Sequence, residues 1–76
     1  MESLFDVQEW MKKFGYVNLI SNRLDAIYFM KVELVELKKR GIIQENDPEF
    51  FSASLILRRE ARIEEEKESS NKGKNG

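Results

Sequence analysis

"NRLDAIYFMKVELVELKKRG", residues 22–41, decides the fold. Ala26, Ile27, Met30, Leu34 and Leu37 recur at helical spacing and make one apolar stripe. Leu24, Tyr28, Val32 and Val35 make a second, with Lys31 and Lys38 between the two. Asn22 is placed to cap the first turn, with Asp25 three residues on. Gly41 ends the pattern, because the left-handed residue that closes a helix is cheapest as glycine. The segment therefore reads as a helix over about 23–40. A helix that is apolar on two sides belongs between neighbours. The expected neighbours are a flanking helix on each side, or a second subunit covering one of them.

Both flanks supply a helix. Ser3 can cap a first helix of about 4–14, with Asp6 in its first turn, Leu4, Val7, Met11 and Phe14 as its stripe and Trp10 beside it. Gly15 stops it. "YVNLI", residues 16–20, reads as an extended connector across the bundle end, a lone edge strand being the alternative. "NDPEFF", residues 46–51, opens the third helix: Asp47 caps, Pro48 takes the first helical position and Glu49 suits the positive end. Phe50, Ala53, Leu57 and Ala61, with Ile56 beside them, form its core stripe over about 48–66. Residues 68–76 end in "SSNKGKNG", which has no apolar member and is expected to be a disordered tail. The expectation is an all-α chain: one compact three-helix domain over residues 1–67, then the tail.

Composition narrows the chemistry. The 76 residues include no cysteine and no histidine. Disulfides, thiolate nucleophiles, imidazole bases and ordinary zinc sites are therefore excluded, and helix packing or self-association must stabilise the domain. The remaining serines, lysines and carboxylates fall into no catalytic pattern, so no enzyme, cofactor or metal is expected. A net charge of −1 provides no global attraction to phosphate, so any anion must be held by a local patch. "MESLFDV" lacks the features of a signal peptide, and the longest apolar run is the five residues 26–30; a cytoplasmic chain with no membrane span is expected.

The candidate patch lies in "LILRREARIEEEKE", residues 55–68. Phe51, Leu55, Arg58 and Arg62 share one helix face, turned about a third of a circle from the Phe50 and Leu57 stripe, and Arg59 widens it. Guanidinium groups beside an aromatic ring suit unpaired nucleic acid, the one holding phosphate and the other stacking on a base. Two features favour a purely structural role. Phe51 and Leu55 can widen the buried face under the arginine stems, and Arg62 has Glu66 four residues on. From Pro48 to Lys67, four basic residues face five acidic ones. Lys38, Lys39 and Arg40 are a second candidate, although cations at a helix C-terminus already complement its dipole. "EEEKE", residues 64–68, reads as a solvated face. Arg23 is misplaced for the dipole of its own helix, so it implies a carboxylate partner in another segment.

"FDVQEWMKKFG" (5–15), "NRLDAIYFMKVELVELKKRGII" (22–43) and "ASLILRRE" (53–60) together resemble the YqgQ-like proteins of Gram-positive bacteria. Asp6-Val7-Gln8, Gly15, Arg23, Asp25, Met30, Glu33 to Leu37, Leu57-Arg58 and Glu60 carry the resemblance, which spans roughly residues 4–63. It implies a three-helix domain in a bacterial cytoplasm that binds single-stranded nucleic acid, with no catalytic motif. The residues expected to do so are Phe51, Arg58, Arg59 and Arg62, with Lys38, Lys39 and Arg40. The alternative is a protein-interaction module or homo-oligomer built on the second stripe of the middle helix.

Overall fold

Each helix begins where a side chain can take up its free amides. The computed structural model describes residues 1–75, with side chains described to Ser69. Helix α1 spans Leu4–Lys12. Ser3 Oγ accepts from the Asp6 N–H at 3.2 Å, while Asp6 Oδ2 accepts from the N–H groups of Glu2 at 2.9 Å and Ser3 at 3.1 Å. That reciprocal capping box holds the Asp6 carboxyl below its ordinary value, the Glu2 amide contributing most and the Ser3 amide next. Helix α2 spans Arg23–Lys39, with Asn22 Oδ1 accepting from the Asp25 N–H at 3.0 Å. Helix α3 spans Pro48–Asn75, and Asp47 Oδ1 accepts from the Glu49 N–H at 2.9 Å.

Gly15 and Gly41 close α1 and α2 with φ of 93° and 74°. Both ends have the same two bonds: Tyr16 N–H to Met11 C=O and Gly15 N–H to Lys12 C=O in α1, Ile42 N–H to Leu37 C=O and Gly41 N–H to Lys38 C=O in α2. These satisfy carbonyls that a helix otherwise leaves open, and they tighten the last turn, so α1 ends before Phe14. Past residue 66, α3 continues through the strong helix formers of the Glu-Lys run. The tail expected over 68–76 falls, from Ser70 onward, on side chains outside the described residues, and Gly76 lies outside them altogether.

The central element is α3, a correction to the expectation that α2 would be sandwiched. Helices α1 and α2 both pack chiefly on α3 and only slightly on each other. The arc that α3 buries is wide enough for two neighbours, because Ile56 extends the stripe of Ala53, Leu57 and Ala61. On α2 the first stripe is wholly buried, but beyond Leu24 the second is not: Tyr28, Val32 and Val35 are all exposed. The α2–α3 pair is antiparallel. Lys38, at the end of α2, sits over the Phe50 ring at 5.9 Å, while Arg23, at its start, reaches Glu60 and Glu64. Residues 16–20 connect α1 to α2 without regular structure, with Tyr16 buried, Ile20 half-buried, and Val17 and Leu19 facing out. Among the described residues there is no strand.

Arg23 has the distant partners its position implied. Its Nη2 meets Glu60 Oε1 at 2.7 Å and its Nε meets Glu64 Oε1 at 2.8 Å, spanning two turns of α3. The guanidinium, then the neighbouring Arg59, holds the Glu60 carboxyl below its ordinary 4.5 despite partial burial. A carboxyl whose folded pKa is depressed adds stability above its unfolded pKa and loses it as pH falls through the folded one. Urea midpoints should therefore separate wild type from Arg23→Gln near neutrality and converge in acid, once pH has fallen through the lowered pKa of Glu60. A gap of equal size at both pH values would show that the fork acts by packing and not by charge.

Candidate nucleic-acid interface

The face of α3 opposite the core is apolar and basic together. Phe51 is 63% exposed and Leu55 47%, which overturns the structural reading that both widen the buried face. They lie on the flank of α3 turned about a third of a circle or more from Leu57, where neither flanking helix covers them fully. Arg58, Arg59 and Arg62 share this side and line, with Leu55, Ile63 and Glu66, a shallow groove of about 270 Å³.

The three arginines are not equivalent. Arg59 turns toward α1, its Nη2 donating to the Glu2 carbonyl at 2.9 Å and its Nε pairing with Glu60 at 3.2 Å. Arg58 and Arg62 have no carboxylate at salt-bridge distance among the described residues. The pair expected between Arg62 and Glu66 does not form. Several acids of α3 are committed elsewhere. Glu60 and Glu64 face the Arg23 fork, and Glu65 Oε2 accepts from the Tyr28 hydroxyl at 2.5 Å, a bond that raises the phenol above its ordinary 10.0. Three of the five acids in the count, Glu60, Glu64 and Glu65, are therefore engaged with α2, while Glu66 lines the groove of Arg58 and Arg62 without reaching salt-bridge distance of either.

Lys31 completes the set, and the sequence reading passed it over. It lies with Val35 on α2 across a groove from Arg58, and it also has no carboxylate at salt-bridge distance among the described residues. The signal was present in the spacing: Lys31, Val35 and Lys39 follow the exposed stripe of Tyr28 and Val32. Of the Lys38–Arg40 cluster, Lys38 sits over Phe50, a wall of the Arg58 groove, and Lys39 shares a surface with Lys31. Lys38 is 3.9 Å from Glu45, and Lys39 and Arg40 are each 3.9 Å from Glu36. The structure thus brings Arg58 together with Lys31 along one groove and with Arg62 along another, leaves Phe51 on the same face but in neither, turns Arg59 toward α1, and puts Lys39 on the surface that Lys31 and Val35 share.

A family model described as YqgQ-like matches residues 1–63. The chain belongs to the YqgQ-like family. The match takes in α1, α2 and α3 as far as Ile63, so the whole Phe51–Arg62 face is family sequence and the acidic run 64–68 lies beyond it. No curated protein and no solved structure matches the chain. Among the described residues no helix is long and apolar enough to cross a membrane, and no group of carboxylates is arranged to hold a metal ion.

Proposed function

We propose that this chain is a small, non-enzymatic binding domain of the bacterial cytoplasm that holds single-stranded nucleic acid weakly and with little sequence preference. One observation carries the reading: Arg58 and Arg62 have no carboxylate at salt-bridge distance among the described residues, and they lie on the α3 face that also carries the exposed Phe51, about two and three turns before them. Free guanidinium groups supply phosphate contacts, and an exposed ring supplies a face on which any base can stack. A duplex keeps its bases paired and stacked, so it can use the cations but not the ring. With Lys31, Arg58 and Arg62 as the main contacts, few counterions are released and affinity is modest.

The alternative, a second copy or another protein over α2, draws on the exposure of Val32 at 60% and Val35 at 46%. Lys31 and Lys39 line the same surface against the single acid Glu36, so a second copy would bring two cations for each acid into the contact. Charge complementarity favours an anionic partner. Titrating a labelled oligothymidylate between about 50 and about 200 mM salt should show log affinity falling against log salt with a slope near −2, at ~−0.7 per phosphate contact. Absence of binding at the lower salt would remove the proposal. A dimer by sedimentation that resists salt would support the alternative.

A further inference from the structure

Resting on that reading, we infer that the groove between α2 and α3 seats one unpaired base of the strand, with Lys31 and Arg58 holding the phosphates on its two sides. The groove has a volume of about 220 Å³ and is continuous with the exposed face through Arg58, which borders both. Its floor is Leu34 and Leu57, both buried, and its walls are Val35 and the half-buried Phe50. The rim carries one cation from each helix. Across the groove the surface therefore runs cation, apolar seat, cation, matching the phosphate, base, phosphate order of a single strand.

Size and chemistry restrict the occupant further. Sites that enclose whole cofactors or drug-sized ligands run to roughly 300–1,000 Å³, so this groove suits a single ring system. The Ser54 hydroxyl on its wall donates to the Phe50 carbonyl at 2.9 Å, so its proton is already committed. Nothing apolar in the floor reads a base edge, so the seat accepts any base that is free of its partner. A glutamate side chain would satisfy one cation but leave the apolar seat mostly wet. An acidic peptide is the weaker fit for that reason.

The experiment compares an oligothymidylate with an abasic strand of the same length. Wild type should prefer the base-bearing strand by about tenfold, within the range of base contacts measured by substitution. Ser54→Leu fills the groove with an uncharged side chain and should reduce that preference, leaving only what stacking on Phe51 supplies, without changing the salt slope. Lys31→Gln should reduce that slope by roughly 0.7, one phosphate contact. Equal binding of both strands by wild type would overturn the inference while leaving salt-dependent binding, and with it the broader proposal, intact. A preference that survives Ser54→Leu undiminished but is lost in Phe51→Leu places the base on Phe51 and also overturns it. Equal affinity for an oligoglutamate of matched charge does the same. Binding of no strand at low salt removes both readings. Should circular dichroism show Ser54→Leu unfolded, Phe51→Leu decides: a base preference retained there supports the groove, and one lost there overturns the inference.

Discussion

Leu57→Ala should leave most of the chain unfolded at 25 °C. Leu57 has no exposed surface, lies on the one helix that both others pack against, and floors the groove toward α2. Truncating a buried leucine costs about 2–5 kcal/mol, the upper part applying where the surroundings cannot collapse into the cavity. A domain of this size draws only about 3–5 kcal/mol from its core, and with no cysteine there is no disulfide to supplement it. Loss and reserve are therefore of the same size. Far-ultraviolet circular dichroism with a urea titration would show helical signal reduced in water and little remaining transition. The contrast is Leu55→Ala on the same helix, nearly half exposed, which should move the midpoint by under about 0.5 kcal/mol. If the two variants behave alike, α3 is not the centre of the packing.

The boundaries of the helices were open to reading because the interactions that set them are local. Ser3 with Asp6, Asn22, and Asp47 with Pro48 act within three residues, and the two positive-φ glycines close their helices through bonds that span one turn. The order of packing was not open in the same way. Two apolar stripes on α2 and a stripe with one flanking isoleucine on α3 each fit a central helix. What separates them is whether the extra apolar residues meet another element. Ile56 is buried by its neighbours, whereas Val32 and Val35 stay exposed. That is a fact of three-dimensional arrangement which periodicity cannot supply.

The site followed the same division. Phe51, Arg58 and Arg62 share a face by helical spacing alone, so their grouping was visible in the sequence. Their freedom from acids was not. A rule for neighbours on one helix pairs Arg62 with Glu66, but the acids of this segment also answer to α2, through Arg23 and Tyr28. Arg23 was the one hint, a cation misplaced for its own helix and so in need of a partner elsewhere. Lys31 joins Arg58 only through the antiparallel register of α2 on α3, which no local pattern encodes. Lys38, Lys39 and Arg40 were grouped by sequence adjacency, yet the helix turns them to different neighbours, Lys38 to Phe50 and Glu45, Lys39 and Arg40 to Glu36.

Reversing Arg58 and Arg62 together, as Arg58→Glu with Arg62→Glu, should reduce affinity for an oligothymidylate at least a hundredfold at about 50 mM salt. Each phosphate contact on a single strand contributes close to tenfold at that salt, given a slope of ~−0.7 per contact, and reversal adds repulsion to the loss. The fold should tolerate the change, since both side chains are exposed and neither is in an ion pair among the described residues. New like-charge neighbours four residues apart on α3 cost only about 0.2–0.5 kcal/mol each, which helicity and a urea midpoint would register. Arg59→Glu is the informative control. Its guanidinium is engaged with Glu2 and Glu60, so its reversal should disturb α1 packing more than it weakens strand binding. The measurement is fluorescence anisotropy of the labelled strand across the salt series. Affinity retained by the double variant, or lost equally in Arg59→Glu with the fold intact, would mean that the strand is not held by the carboxylate-free arginines, and the electrostatic division of α3 would carry no functional weight.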